Sequence, residues 1–409
     1  MLAHRVDARQ GCTILGAEGR AGISCNPYER GSITTLRSCS LSLFVPIASL
    51  ASQSVLTVGV NGQFADVPAA VAAAQPGDTV RCLQWPPFQL FTAPVITKGI
   101  VFDGGGTNGL IGQCVISGIP ANETVVMNGF LSTSANVFDV RVVDCAGRVH
   151  LDSLSTTTSS PGVWPNTSID VLRSHAVSLR AVFTHGSPAI SVVDSTVAIN
   201  HCRLGTRAGG NQAGGRCIDG LRSTILITQP EFDAGNVPVS AIFTDQCQVT
   251  IAGEWQVGGS GTIAGGSPSP LQFPAVAGSN STLTLSPAVS VVGGVTGIAA
   301  TVRDLPHHRV YVSPPGGVTS LYTYGAVGDL GVAALTLPAL PTPSPFGDLW
   351  VDPATLATYS FVLGFAGEHY LNLTVPTTVL VGSSWTLQGM LLTSGGLELT
   401  LPATFSIRN

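Results

Sequence analysis

The sequence predicts an all-β chain built as a parallel β-solenoid, opened by a short helix and followed by a small β-sandwich-like module. Three observations lead there. An apolar residue followed seven positions later by a V/I/L-x-V/I/L strand recurs through the middle of the chain. Only 10% of the 409 residues are charged, while Gly numbers 48 and Pro 27; an ordinary soluble domain carries about 25% charged residues. An Ala-rich stretch with helix start and stop signals stands at the head of the repeat.

The repeat runs from Ile190 to Val197 and Ile199, from Ile218 to Ile225 and Ile227, from Ile242 to Val249 and Ile251, and from Val276 to Leu283 and Leu285. Upstream, Val142 leads to Val149 and Leu151, and Ile169 leads, one residue longer, to Val177 and Leu179. The strand positions 149, 177, 197, 225, 249 and 283 are separated by 28, 20, 28, 24 and 34 residues. That is the size of one solenoid coil, in which short strands of alternating side chains are joined by turns rich in Gly, Ser, Asn and Asp. A sandwich with strands about every 8–12 residues does not account for the recurring offset of seven residues, eight in one coil.

Residues 64–78 (FADVPAAVAAAQPGD) read as the helix, with Asp66 as N-cap, Pro68 in the first turn and Pro76-Gly77 as the stop. Over the open end of a solenoid such a helix covers strand edges that would otherwise recruit other chains. At the C-terminal side, 338–345 (PALPTPSP) reads as a stiff Pro-rich connector. Beyond it, 346–409 alternates densely, with Ser394-Gly395-Gly396 as a hairpin turn. The chain thus divides into an extension at 1–51, a solenoid at 52–305, a β-rich connector at 306–345 and a β-module at 346–409.

Composition excludes several functions. The chain is too apolar for disorder and, with Lys98 as its one lysine, too poor in charge for a coiled coil. A net charge of −5 argues against a nucleic-acid partner. Within 1–51, Arg30 and Arg37 precede a mostly apolar stretch, 39–50 (CSLSLFVPIASL), with Ser49 and Ala51 at a cleavage-like site. This reads as a secretory signal, too short to span a bilayer, with translation starting downstream of Met1; a buried strand is the competing reading. Export permits disulfides among Cys82, Cys114, Cys145, Cys202, Cys217 and Cys247. Cys202 and Cys217, which bracket a Gly-rich excursion, are the best pair, and six buried free thiols are the alternative.

The stretch FADVPAAVAAAQPGDTV, with Phe64, Val67, Ala70, Val71, Ala74, Gly77, Asp78, Thr79 and Val80 at matching positions, resembles the opening of proteins of the pectin-lyase-like superfamily. Lys98-Gly99-Ile100-Val101-Phe102-Asp103-Gly104 resembles that family's first full strand and turn. Trp85-Pro86-Pro87-Phe88 departs from its usual Pro-Gly-x-Tyr. The resemblance covers roughly 55–305 and implies a right-handed parallel β-helix with an N-terminal capping helix. It leaves activity open, because the superfamily includes lyases, hydrolases, esterases and non-catalytic surface proteins. The final 65 or so residues resemble the C-terminal modules of many exported proteins of Gram-negative-type bacteria.

The candidate site follows from the repeat. Residues 168–174 (SIDVLRS) and 217–223 (CIDGLRS) are near-duplicates, and the coil between them reads ISVVDS at 190–195. Arg173, Asp194 and Arg222 therefore fall at one position of three successive coils, about 4.8 Å apart, as an Arg–Asp–Arg ladder. Asp170, Ser191 and Asp219 stack likewise, and Ser174, Ser195, Ser223, Cys247 and Ser281 line up one place further on. The ladder reads either as a register-fixing surface feature or as a groove whose Arg forks, with Arg180 beside them, grip a glycan. The eight arginines at 141, 148, 173, 180, 203, 207, 216 and 222 make an acidic polymer the expected ligand.

The histidines at 150, 175, 185 and 201 fall at different repeat positions, so no metal cluster is expected. Thr184-His185-Gly186 faintly resembles the Gly-His-Gly of polygalacturonases, but that family's remaining motifs are missing, as are those of pectin methylesterases. No catalytic set is complete. The expectation is an exported, secreted or cell-surface bacterial β-helix protein, non-catalytic, without cofactor or membrane span once the signal is removed, binding a polysaccharide or cell-surface glycan. The alternative is a divergent lyase or glycoside hydrolase acting on an acidic polysaccharide, with Ca²⁺ only in the lyase case.

Overall fold

The computed structural model describes residues 12–17, 20–25, 53–83, 89–131, 138–157, 167–185, 188–205, 215–235, 238–253, 262–265, 272–364, 366–379 and 381–407. The signal-like segment 39–50, Trp85–Phe88 and most of the excursion between Cys202 and Cys217 lie outside these residues.

The chain is a parallel β-helix with three faces. The first sheet runs coil by coil from Val55–Val58 and Thr79–Cys82 to Thr282–Leu285 and Ala299–Val302. The second runs from Val95–Ile96 and the end of Val101–Ser117 through Phe138–Val143, Ile169–Leu172, Ile190–Val193, Ile218–Leu221, Ile242–Asp245 and Val276–Ser279 to Val295–Thr296. The third stacks Ser155–Thr157, Phe183–His185, Arg203–Gly205, Glu231–Asp233, Thr262–Ala264 and Ser290–Val292. Inward residues form columns. Val149, Val177, Val197, Ile225, Val249 and Leu283 are in register, as are Leu151, Leu179, Ile199, Ile227, Ile251 and Leu285. All belong to one buried apolar core, as the strand positions predict.

The seven-residue offset has a local cause. Each second-sheet strand ends at a corner whose first residue is left-handed: Asp144, Arg173, Asp194, Arg222, Gln246 and Asn280 have φ between 48° and 55°. A second left-handed row, Ser153, Ala181, His201 and Gln229, follows the first-sheet strands. One coil departs from the expected frame. Val140, not Val142, is in register with Ile169 and Ile190, and the corner after it is longer by two residues. Strand side chains alternate with period two, so a two-residue shift keeps every residue on its expected face and hides the error in the sequence.

The helix Val67–Ala73 has Asp66 as N-cap, its side chain accepting from the Ala69 amide, and Pro68 in the first turn. It buries Val67, Ala70 and Val71 on the N-terminal end of the core. Lys98 donates to the carbonyls of Ala72 at 3.1 Å and Ala74 at 2.6 Å, placing its charge at the negative end of the helix.

The C-terminal part is two sheets sharing one core. One sheet holds His307–Tyr311, Val318–Tyr324 and Glu368–Thr374, extended by a hairpin of Cys12–Ala17 and Arg20–Cys25. The other holds Ala357–Val362, Leu330–Thr336, Ser384–Thr393, Gly396–Leu399 and Ala403–Ser406. Leu321 and Leu371 of the first pack with Ala333, Phe361, Leu387 and Phe405 of the second. The Pro-rich stretch is no free linker: Pro338–Ser344 pairs antiparallel with Gly347–Val351. The predicted hairpin at 394–396 forms with a two-residue loop between Thr393 and Gly396.

Candidate functional surfaces

The predicted ladder sits at the corner between the second and first sheets, and it begins one coil earlier than expected. Arg173 donates from Nε and Nη2 to the two carboxylate oxygens of Asp144, at 2.5 and 2.8 Å. Arg222 grips Asp194 the same way, at 2.6 and 2.8 Å. The column is therefore Asp144–Arg173–Asp194–Arg222, made of two closed forks. The expected Arg173–Asp194–Arg222 order is present, but Asp194 takes its fork from Arg222 alone. Hydrogen bonds from the arginines hold both Asp144 and Asp194 below the usual carboxylate range. Asp144 was missed because the frame shift of its coil moved it off the predicted position.

The other expected site residues divide. Asp170 stacks on Ser191 and Ser191 on Asp219; Asp170 pairs with Arg141 at 3.4 Å and Asp219 with Arg216 at 2.9 Å. Arg216 also lies 4.0 Å over the Phe243 ring. Arg203 meets Glu231 at 3.0 Å, and Arg148 donates to the Pro338 carbonyl at 2.6 Å. Arg207 lies outside the described residues. Every described arginine of the group is thus turned to an acid or a carbonyl, and the face is charge-balanced instead of cationic.

Arg180 is not on an open groove. Its side chain is 8% exposed and binds Asp152, fully buried, at 3.0 and 3.2 Å. Asp152 also accepts from the amide and hydroxyl of Ser406, at 3.1 and 2.6 Å. His150 Nδ1 meets the Ser178 hydroxyl at 2.7 Å, with Nε2 3.6 Å from Asp152. Although these are Ser, His and Asp side chains, all are sealed beneath Ala403–Ser406, so they form a docking network. Sequence reasoning could not find it, because its partners lie 254 residues apart.

Behind the ladder runs the buried column Cys145, Ser174, Ser195, Ser223, Cys247, Ser281. The amides of Cys145, Ser174, Ser195 and Cys247 each donate to the hydroxyl one coil on, at 3.0–3.1 Å. The hydroxyls donate in turn to carbonyls two residues back. The expected Cys202–Cys217 bridge is not formed: both thiols are free and buried. They precede strands of different sheets, and each bonds to a backbone carbonyl, Cys202 to Asn200 and Cys217 to Leu204. Burial pushes the Cys202 thiol up to about 12. Among the described residues no group of three His, Cys, Asp or Glu is placed to hold a metal ion, and no helix is long and apolar enough to cross a membrane.

A second surface was not expected. Four of the chain's six tyrosines share the outer face of the C-terminal sheet. Tyr322 stacks on Tyr324 at 6.3 Å and on Tyr370 at 5.9 Å, and Tyr311 meets Tyr322 edge-on at 5.5 Å. His307 stacks on Tyr324 at 5.0 Å, and Arg309 lies 4.5 Å over Tyr311. Tyr311 is exposed and the other three tyrosines are half-buried. Ser320, hydrogen-bonded to Asn372 at 2.7 Å, and Glu368 border the row. The signal was available as alternation in Val318–Tyr324 (VTSLYTY), but the rings converge only through pairing with strands at 307–311 and 368–374.

No protein-family model and no curated protein matches the chain. A solved structure it is similar to is chitinase ChiW of Paenibacillus sp. strain FPU-7, described as a cell-surface-expressed multi-modular enzyme. Identity is 9% and the TM-score 0.17, over 87% of this chain and 24% of that one. The chain spans about a quarter of that protein's length, and a likeness this low carries no argument about function.

Proposed function

We propose that the chain is an exported or cell-surface β-helix protein that binds a glycan or surface polymer without acting on it chemically. The tyrosine row is the observation that carries this reading. Tyr rings offer apolar faces with a polar rim, the complement of a sugar ring, whose C–H faces stack while its hydroxyls need partners. Arg309, Asn372, Ser320 and Glu368 supply donors and acceptors beside the rings. The charge-balanced ladder on the solenoid supports a hydroxyl-rich polymer over a strongly acidic one, because its guanidinium forks are already closed on Asp144 and Asp194.

The test is retention of the purified chain on a panel of immobilised neutral and uronate polysaccharides, with ultraviolet absorbance followed for unsaturated products. Binding is expected, and Tyr322→Ala together with Tyr370→Ala should remove it. Failure to bind any polymer overturns the reading, and an unsaturated product overturns its non-catalytic part in favour of a lyase.

A further inference from the structure

The two ends of the solenoid are finished differently. At the N-terminal end the helix Val67–Ala73 covers the core. The edge strand Val55–Val58 is occupied as well: Thr57 donates its amide to Gln63 Oε1 at 3.1 Å, and Phe64 donates to the Thr57 carbonyl at 3.0 Å. At the C-terminal end the last coil is turned by Gly293, Gly294 and Gly297, all at positive φ (103°, 79° and 70°). Its strands Ser290–Val292, Val295–Thr296 and Ala299–Val302 pair, among the described residues, only with the preceding coil.

The core columns run out at this end. Val302 continues Ile251 and Leu285 but is 63% exposed, and Val295 continues Ile242 and Val276 but is 36% exposed. Open strand edges are normally guarded by charges, Pro or a covering element. Here residues 255–302 contain no Asp, Glu, Lys or Arg at all. The first charge beyond them, Arg303, is held by Glu398 at 2.8 Å.

We propose that this end is a self-association surface, on which a second copy of the chain stacks end to end with Ala299–Val302 antiparallel to its counterpart. The missing charge points to the copy over an unrelated partner. A two-fold interface sets residues near the axis against themselves, so any charge there would face its like. The capped N-terminal end blocks head-to-tail stacking, so association stops at a dimer instead of growing into a fibre.

The test is the mass of the full chain in solution across a concentration series, by light scattering after gel filtration and by sedimentation. The expected result is twice the chain mass at high concentration, falling towards one at low concentration. Val302→Lys with Val295→Lys should give monomer at every concentration, with unchanged far-ultraviolet dichroism. As these positions are partly in the core column, Thr301→Lys, outward on the edge strand, provides a second variant with the same expectation. A wild-type chain that stays monomeric, a mass that grows without limit, or a dimer indifferent to Thr301→Lys overturns the proposal.

Discussion

Arg180 Nη2 lies 3.0 Å from the carbonyl oxygen of Val310, so a solenoid side chain ties down a strand of the C-terminal sandwich. The same guanidinium neutralises Asp152, which also holds Ser406. Arg180→Ala would leave a buried carboxylate uncompensated, at a cost of about 3–5 kcal/mol. The expected outcome is a lower urea midpoint for the whole chain, partly restored by adding Asp152→Ala. An unchanged midpoint would show that the network carries no stability.

The two ladder columns should respond differently. Ser195 accepts the Ser174 amide at 3.1 Å and is 3% exposed. Ser195→Ala leaves that amide without its acceptor, a loss of roughly 1–3 kcal/mol in chemical denaturation. The forks of Arg173 and Arg222 lie in solvent, where ion pairs contribute little. Arg173→Gln with Arg222→Gln should leave the melting temperature essentially where it is in physiological salt.

Ala181 stands in the left-handed region at φ 50°, where a Cβ costs about 1–2 kcal/mol and Gly has no such penalty. Glycine's greater freedom in the unfolded chain takes back about 0.4–1 kcal/mol. Ala181→Gly should therefore raise the melting temperature slightly, and Ala181→Val should lower it.

Stability should fall in mild acid because of two buried histidines. Burial lowers His307 to about 4 and His308 to about 3, from 6.5. The native state then binds fewer protons than the unfolded chain between pH 6.5 and those values. The stability is complete above about 6.5 and is lost as pH falls, by up to about 1.4 kcal/mol per pH unit for each histidine. His308 is held neutral between the Thr323 and Thr400 hydroxyls, at 2.9 and 2.7 Å. Urea midpoints measured from pH 7 to pH 4 should decline, and His308→Gln should flatten the decline.

Much of the solenoid was legible in the sequence. Strand positions 149 to 283, the capping helix with its Asp66 cap, and the Ser–Cys column all follow from periodicity and turn chemistry, which act over a few residues. The ladder was legible at Arg173, Asp194 and Arg222, which sit in the near-repeated segments 168–174, 190–195 and 217–223, and illegible at Asp144, whose coil has the longer corner. The helix also stops short of the expected Pro76-Gly77 signal: Ala74 takes extended dihedrals, with φ −61° and ψ 147°, two residues ahead of Pro76.

What the sequence determined by itself was therefore the repeating unit: which residues point inward, where each coil turns, and which polar side chains stack. Tertiary structure decided the rest. It buried Arg180 against Asp152 and Ser406, kept Cys202 and Cys217 apart, folded the Pro-rich stretch into a hairpin, gathered four tyrosines on one sheet and, among the described residues, left one solenoid end without a covering element. These outcomes depend on contacts between segments up to 254 residues apart. A pattern of local spacing records which face a side chain takes, and says nothing of what meets that face.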